Sequence, residues 1–292
     1  MDSHEITPRQ SIKTVGIVGC GLMGGGYAQL CAANGYDVLC SEVNRELLER
    51  GIAMIRMRLE EAVKGGQLQA EAGKAVLGRI SGVTDLDAFS RCDLVIEAVT
   101  ERMETKQKIF SALDAICPED VILATNTSVL SVLDIAMATK RPDRVVGIHM
   151  NPLAFPLAEI VKTIATSEKT VECAVDFSRS LGKGSVVAPD IPGFIANRLI
   201  TPLLLNAIRM VEAGQASKED IDRIFSQGMG WFLGPLAMVD AIGLDTVLLG
   251  AEAVYNESKD AQFAPPLLLR KMVTAGWLGM KSGRGFYEYN GK

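Results

Sequence analysis

The sequence predicts an α/β protein of two domains, in which a mostly parallel sheet covered by helices on both faces is followed by an all-α domain. Over the first 188 residues, short apolar runs rich in β-branched residues alternate with longer helical patterns, which is the order of repeated βαβ units. Beyond that point the patterns are helical. With 292 residues, the chain is long enough for both domains to bury a core.

The predicted strands are short apolar runs bounded by polar or turn-forming residues. The run "CDLVIEAV" is apolar at most positions, as expected of a strand that is covered on both faces. Strands are predicted over Thr14 to Val18, Asp37 to Cys40, residues 92–99, Val121 to Thr125, Arg144 to His149, about Glu159 to Ile164, and Ser185 to Val187.

The helices between these strands are predicted from apolar residues that recur every three or four positions. Asn44 is expected to be the N-cap of the longest one, because its side-chain oxygen can accept a hydrogen bond from the first helical turn. Helices are predicted over Met23 to Asn34, Glu46 to Val63, part of residues 64–80, Thr105 to Ile116, and Glu168 to Leu181.

A domain boundary is predicted in "APDIPGFIANR", where Pro189, Pro192 and Gly193 interrupt the regular elements. The domains are therefore predicted as residues 1–188 and 189–292. Helical patterns follow over 197–214, 217–229, 234–257 and 265–276, with Ser217 and Asp220 fitting a capping box, and a strand pattern appears only in the final "GRGFYEYN". Several of these helices are apolar enough to predict a buried helix pair or a self-association face.

The composition excludes several classes of protein. The net charge of -5 gives no reason to expect nucleic acid or an anionic membrane as partner. No apolar stretch reaches the roughly 18 residues of a membrane span, and "MDSHEITPRQ" lacks the order of a signal peptide, so a cytoplasmic protein is expected. The six cysteines form no CxxC pair and no metal-like spacing with histidine, which predicts reduced thiols, Cys20 included, and no metal site.

A glycine-rich loop follows the first predicted strand in "TVGIVGCGLMGGG". Gly19, Gly21 and Gly24 form a GxGxxG at a strand-to-helix turn, where a pyrophosphate can approach the backbone and meet the N-terminus of the next helix. Gly19, Gly21, Leu22, Met23 and Gly24 are therefore candidate contacts of a dinucleotide. The alternative is a glycine-rich turn that only packs well.

Glu42 ends the second predicted strand, 18 residues after Gly24. A carboxylate at that position can accept hydrogen bonds from the adenine ribose hydroxyls and would repel the additional phosphate of NADP, which favours NAD. Arg45 argues against this preference for NAD, because a nearby arginine can accommodate the additional phosphate of NADP.

Polar side chains follow three further predicted strands, at the carboxyl ends where dinucleotide-binding folds place their chemistry. They are Glu101 and Lys106, then Asn126, Thr127 and Ser128, and then His149 and Asn151. Each also has a structural interpretation: Ser128 as a helix cap, Asn151 as a turn former before proline, and Glu101 with Lys106 as a solvated pair.

His149 is the strongest candidate for acid/base chemistry, because the only other histidine, His4, lies in a polar N-terminal tail. Glu159 follows ten residues later and could hold the imidazole in one tautomer, an arrangement typical of a general base. The alternative is a buried histidine that merely has a hydrogen-bond partner.

At this point the chain resembles the L-3-hydroxyacyl-CoA dehydrogenase family, including the bacterial 3-hydroxybutyryl-CoA dehydrogenases, over nearly its whole length. The segments that carry the resemblance are "GIVGCGLMGGGYAQ", "DLVIEAVTERMETK", "ATNTSVLS", "RPDRVVGIHMNP", "DIPGFIANRL", "GPLAMVDAIGLDT" and "MKSGRGFYEY". The resemblance implies an NAD-binding Rossmann-like domain over 1–188 and a helical substrate and dimerisation domain over 189–292. It also implies a homodimer that acts on an acyl thioester.

The resemblance further implies roles for individual residues. His149 would be the general base for the 3-hydroxyl proton, Glu159 would orient and stabilise its imidazolium, and Ser128 and Asn197 would hydrogen-bond the reacting part of the substrate. The implied cofactor contacts beyond the glycine loop and Glu42 are Glu101, Lys106, Ser128, Asn151 and, more weakly, Lys281.

The chain departs from the family pattern beside the predicted base. Asn151 comes two positions after His149 and Glu159 ten, whereas relatives usually have three and twelve, so two residues are missing from the loop "MNPLAFPLA". We expect the histidine–glutamate pair to be retained and the acyl pocket or the nicotinamide contact to differ.

A second departure concerns the cations expected to bind the phosphates of CoA. Arg58 and Lys64 are the candidate substrate contacts, with Arg56 nearby, but Gly65 and Gln67 stand where relatives often have lysine. This leaves a short polar acyl group on an acyl carrier protein, as in polyketide precursor supply, as an alternative substrate. A non-catalytic NAD(H)-binding protein is an alternative of another class, and a hydroxy-acid dehydrogenase ranks below it because no distinctive arginine anchor for a free carboxylate is visible.

Overall fold

The computed structural model describes residues 12–289, so the predicted position of His4 lies outside the described residues. Contacts divide the described chain into two units. One runs to Thr127 and again over Ser131–Asp190, and we call it the sheet unit. The other comprises Ser128–Leu130 and the chain from Ile191 onward, and we call it the helical unit.

The sheet unit contains one sheet of eight strands in the order β3-β2-β1-β4-β5-β6-β7-β8. The order reverses between β1 and β4, and in such sheets ligands bind outside the carboxyl ends of the strands at this reversal. The strands are β1 (Thr14–Val18), β2 (Asp37–Ser41), β3 (Ile80–Val83), β4 (Leu94–Glu97), β5 (Ile122–Thr125), β6 (Val145–His149), β7 (Leu157–Lys162) and β8 (Gly184–Pro189).

All neighbouring strands are parallel except β6 and β7, which are antiparallel. The short loop 150–156 joins these two strands, and a parallel crossover would need a dozen or more residues. The prediction of a mostly parallel sheet followed by a helical part is confirmed.

Helices cover the sheet and bury its apolar side chains. Asn44 caps the longest one, since its Oδ1 accepts a hydrogen bond from the Leu47 N–H at 2.9 Å, as predicted. The helices of this unit are α1 (Leu22–Ala33), α2 (Arg45–Lys64), α3 (Ala70–Gly78), α4 (Met103–Ile116), α5 (Val132–Ala136) and α6 (Glu168–Ser180).

Two local features of the sheet unit differ from the sequence-based expectation. Strand β3 has no counterpart among the predicted strands, because its sequence "ISGV" lacks an apolar run and it pairs only with β2 at the edge of the sheet. The cap of α5 is Ser131, whose Oγ accepts from the Asp134 N–H at 3.1 Å, so the interpretation of Ser128 as a helix cap is wrong.

The helical unit packs its helices around an apolar cluster that includes Leu205, Ile208 and Leu236. Ser217 caps the second helix, with its Oγ 3.1 Å from the Asp220 nitrogen, which confirms the predicted cap. The helices are α7 (Ala196–Glu212), α8 (Lys218–Arg223), α9 (Pro235–Ile242), α10 (Leu244–Ser258) and α11 (Leu267–Thr274).

Over residues 283–289, the final segment "GRGFYEYN" does not form the predicted strand. Only isolated bridges join Gly279 to Arg284 and Arg284 to Glu288. The buried carboxylate of Asp240 accepts hydrogen bonds from the Phe286 and Tyr287 N–H groups, each at 2.8 Å, so these donors are bound by a side chain instead of a neighbouring strand. Within residues 12–289, no helix combines the length and apolarity that crossing a membrane requires.

Candidate active site

The glycine loop that joins β1 to α1 requires glycine at two of its positions, Gly19 and Gly24. Gly19 has φ +95°, in the left-handed region that other residues rarely adopt. A Cβ atom on Gly24 would lie 1.8 Å from the Gly19 carbonyl oxygen, far inside contact distance. The first and third glycines are thus required by the turn itself.

Gly21 is different, because a Cβ atom there would meet no protein atom within 4 Å. Packing does not require glycine at this position, so the open space is available to a ligand. Among the described residues none caps the N-terminus of α1 with a side chain, and its first turn, beginning at Leu22 and Met23, contains no acidic residue. Uncapped N–H groups and the helix dipole favour an anion, so the loop fits the pyrophosphate of a dinucleotide.

Glu42, immediately after β2, is held against this loop. Its Oε1 accepts the Cys20 N–H at 2.8 Å and its Oε2 accepts the Val43 N–H at 3.2 Å. An ionised carboxylate has about four lone-pair sites, so capacity remains for ribose hydroxyls. Arg45 forms an exposed ion pair with Glu49 at 2.9 Å, which weakens the case for an arginine that admits NADP.

Lys106 and Glu101 belong to a buried network at the carboxyl ends of β4 and β5. The Lys106 side chain is 1% exposed, and its Nζ lies 2.7 Å from Glu97 Oε1 and 3.3 Å from Glu101 Oε2. Glu97 Oε2 accepts the Thr125 hydroxyl at 2.7 Å, and Glu101 Oε1 accepts the Thr127 hydroxyl at 2.5 Å. The interpretation of Glu101 and Lys106 as a solvated pair is therefore wrong.

Glu97 is the member of this network that sequence reasoning missed. It is fully buried at the end of β4. The available signal was an acid inside the apolar run "LVIEAV", because a buried carboxylate needs a cationic or hydrogen-bonding partner nearby.

His149 and Glu159 are direct partners across the antiparallel pair of β6 and β7. The His149 Nδ1 lies 2.8 Å from Glu159 Oε2, and the two side chains are 17% and 7% exposed. A carboxylate beside Nδ1 favours the tautomer with the proton on that nitrogen. The lone pair of the imidazole is then on Nε2, and this nitrogen can accept a proton.

Asn151 lies two residues after His149, in the loop between β6 and β7. Its Oδ1 accepts hydrogen bonds from the Leu153 N–H at 3.2 Å and the Ala154 N–H at 3.1 Å. This geometry supports its interpretation as a turn former, while the implied contact with nicotinamide stays a prediction.

The candidate substrate cations lie on α2. Arg58 is half-buried against α1, where its Nε donates to Gln29 Oε1 at 3.2 Å. Burial lowers the pKa of the Arg58 guanidinium. Lys64, at the end of the helix, is exposed and therefore accessible to a phosphate.

The remaining predicted site residues belong to the helical unit. Ser128 lies in the short segment that groups with this unit, and Asn197 lies in the first turn of α7, after the left-handed Phe194 with φ +46°. Lys281 forms an ion pair with Asp245, with Nζ 2.7 Å from Oδ2. Their predicted contacts with substrate or cofactor stay predictions.

Comparison with known proteins gives matches over almost the whole chain. A family model described as "3-hydroxyacyl-CoA dehydrogenase, NAD binding domain" matches residues 14–191, and one described as "3-hydroxyacyl-CoA dehydrogenase, C-terminal domain" matches residues 193–289. A probable 3-hydroxybutyryl-CoA dehydrogenase of Bacillus subtilis is 43% identical over 284 residues, which cover 96% of this chain and 99% of the relative.

Solved structures also match over almost the whole chain. The crystal structure of M. tuberculosis FadB2 has a TM-score of 0.94 and 42% identity, and covers 96% of this chain and 100% of its own. The (S)-3-hydroxybutyryl-CoA dehydrogenase PaaH1 of Ralstonia eutropha has a TM-score of 0.91 and 39% identity, with coverage of 96% and 100%.

Proposed function

Because the chain belongs to the 3-hydroxyacyl-CoA dehydrogenase family, with NAD as its cofactor, we propose that it interconverts a 3-hydroxyacyl-CoA and the corresponding 3-oxoacyl-CoA. The observation that carries the proposal is the 2.8 Å contact between His149 Nδ1 and Glu159 Oε2 at the carboxyl end of β6. In the same unit, the open position at Gly21 and the uncapped N-terminus of α1 fit the cofactor's pyrophosphate.

In the proposed reaction, NAD⁺ supplies the acceptor for the hydride that leaves C3 of the substrate. His149 Nε2 takes the proton of the 3-hydroxyl group as the C3–O bond becomes a carbonyl. Glu159 holds the other ring nitrogen and stabilises the imidazolium that forms. In the reverse direction the protonated His149 returns this proton to the oxygen.

We assign the other residues to the proposed site as the resemblance implies. Ser128 and Asn197 would hydrogen-bond the reacting oxygen region of the substrate. Glu42 would bind the adenine ribose, and Glu101 would contact the cofactor. The buried Lys106 would hold the carboxylate of Glu101 in place. Asn151 and Lys281 are weaker candidates, because both already have partners within the protein.

A short acyl group on CoA is the proposed substrate, since several of the relatives are named 3-hydroxybutyryl-CoA dehydrogenases. The alternative carrier is an acyl carrier protein. It is favoured by Gly65 and Gln67, two uncharged residues at positions where the resemblance implies lysines for the phosphates of CoA. Turnover of one acyl group on both carriers would decide, and a clear preference for CoA would exclude the alternative.

A second copy of the chain is the proposed protein partner. The helical unit exposes large apolar side chains, including Leu199 at 73%, Phe232 at 97% and Leu249 at 56%, which contact with a second copy would remove from water. Light scattering of the purified protein tests this, and a monomer at micromolar concentration would contradict it.

The proposed activity is tested by NADH oxidation with acetoacetyl-CoA, followed by absorbance. We expect turnover by the native chain, a loss of at least about a thousandfold in His149→Ala, and no loss in His4→Ala, the matched change at the other histidine. If the native chain and His149→Ala are equally inactive while both bind NADH, the protein is a non-catalytic NAD(H)-binding protein and the proposal fails.

A further inference from the structure

Tyr27 is a fully buried tyrosine in the second turn of α1, the helix that follows the glycine loop. Its hydroxyl lies 2.7 Å from the Ile148 carbonyl oxygen and 2.8 Å from Asn126 Oδ1, so the single proton is shared between two acceptors. Neither residue is close to Tyr27 in sequence. Ile148 directly precedes the proposed base, His149.

Asn126 extends this contact to the other side of His149. Its Oδ1 also accepts the Met150 N–H at 3.2 Å. The peptide group before His149 is therefore held through its carbonyl and the peptide group after it through its N–H. Since the orientations of these two peptide planes define φ and ψ of His149, they fix the direction in which its side chain leaves the backbone.

The side chain of His149 is fixed separately, by the contact of Nδ1 with Glu159. The base is thus held in two ways: its ring by the facing strand, and its backbone by a tyrosine on the helix of the cofactor loop. Burial raises the pKa of the Tyr27 hydroxyl well above its ordinary value, which keeps it a protonated donor at every working pH.

We infer that Tyr27 is a positioning residue for the reaction, whose hydroxyl, together with Asn126, fixes the backbone of His149 from the cofactor-loop helix. The inference rests on the proposed function, in which His149 is the general base. The same helix then presents its N-terminus to the cofactor and its second turn to the segment that carries the base.

The kinetic test removes only the hydroxyl, in Tyr27→Phe. We expect kcat to fall by about tenfold, because small displacements of a reacting group are costly, while the KM for acetoacetyl-CoA and the Kd for NADH change by less than about twofold. The matched control is Tyr36→Phe, which removes a hydroxyl that contacts Ser180 on the sheet unit's α6, away from His149. It should keep the native kcat.

A double-mutant cycle separates positioning from a general structural effect. In the His149→Ala background, Tyr27→Phe should have no further effect on the residual rate, since there is no base left to position. An equal loss in both backgrounds, or an unchanged kcat in Tyr27→Phe alone, overturns the inference. Asn126→Ala, which removes the acceptor of the Met150 N–H, provides a second variant and should lower kcat in the same non-additive way.

A spectroscopic test needs no turnover. The chain has only two histidines, so protein labelled at histidine gives two sets of imidazole signals, and His149→Ala assigns them. Tyr27→Phe should shift or broaden the His149 signals, whereas Tyr36→Phe should leave them in place. Unchanged signals in Tyr27→Phe overturn the inference, and this outcome is distinct from an inactive native chain, which overturns the proposed function instead.

Discussion

His149 and Glu159 face each other as a cross-strand pair, with Nδ1 and Oε2 2.8 Å apart. The strands that carry them are joined by the short loop 150–156. Side chains alternate between the faces of a strand with a period of two. The register of the two strands therefore decides whether His149 and Glu159 face each other, and the length of the loop does not. The register of β6 on β7 therefore brings the two side chains together across this loop.

Glu159→Gln keeps a hydrogen-bond acceptor beside His149 but removes the negative charge that would stabilise the imidazolium in the proposed reaction. We expect kcat to fall by about a hundredfold, with a smaller change in KM, when NADH oxidation is followed with acetoacetyl-CoA. The control is Glu168→Gln, the same change at an exposed residue that pairs with Lys162. A native rate in Glu159→Gln would remove the carboxylate from the mechanism.

Substitution by alanine should have different effects at two positions of the glycine loop, Gly24 and Gly21. Gly24→Ala places its methyl group against the Gly19 carbonyl oxygen, so we expect a large loss of thermal stability or no folded protein. The methyl group of Gly21→Ala meets no protein atom, so this variant should retain the native melting temperature. Its Kd for NADH should rise by about tenfold or more, because the methyl group would occupy the space proposed for the pyrophosphate. Equal NADH affinity in Gly21→Ala and the native chain would place the cofactor elsewhere.

Glu42→Gln should relax the preference for NADH over NADPH. The amide oxygen can still accept the Cys20 N–H, so the loop is kept, but the variant loses the negative charge that would repel the 2′-phosphate of NADPH. We expect the ratio of kcat/KM for NADPH to that for NADH to rise by about tenfold. Glu46→Gln, at an exposed residue of α2, is the control, and an equal rise there would show a general effect of charge.

Lys106→Met should be strongly destabilising, because it leaves the buried carboxylate of Glu97 without its cation. A loss of about 3–5 kcal/mol in the free energy of unfolding is expected from urea denaturation. The double variant Lys106→Met with Glu97→Gln should lose less free energy of unfolding, because the buried side chain at position 97 is then uncharged. Lys74→Met, which breaks the exposed pair with Glu71, should change stability by less than about 0.5 kcal/mol.

The ion pair of Lys281 and Asp245 predicts a pH-dependent contribution to stability in the helical unit. Burial acts to raise the pKa of Asp245, but the hydrogen bond and charge of Lys281 outweigh it and lower that pKa below its ordinary value. A carboxyl group with a lowered folded-state pKa stabilises the fold above its unfolded pKa of about 3.9, and this stabilisation disappears as the pH falls through the folded value.

Lys281→Met should therefore be less stable than the native chain at pH 7, by no more than about 1 kcal/mol because the pair is partly exposed, and the difference should shrink at pH 3. Urea denaturation at both pH values measures this. The Kd for NADH of the same variant tests the weaker prediction that Lys281 contacts the cofactor, and an unchanged Kd would remove it from the site.

Local patterns in the sequence determined much of the fold. The glycine loop, the alternation of strands and helices, and the caps at Asn44 and Ser217 depend on residues a few positions apart, so they could be predicted from the sequence. The same patterns failed where the local signal was weak or misleading. Strand β3 has no apolar run, and the strand pattern of "GRGFYEYN" was overridden by the distant carboxylate of Asp240.

The sequence by itself also determined the family and the candidate base, because ordered motifs and the scarcity of histidine are visible without a structure. Only the tertiary structure decided how these residues are held: the pairing of His149 with Glu159 in an antiparallel ladder, the burial of Lys106 against Glu97, and the contact of Tyr27 with the backbone beside His149. These contacts join residues from different elements, and their geometry depends on strand register and helix packing. Periodicity and spacing along the chain specify neither, since both are settled by long-range burial and hydrogen bonding.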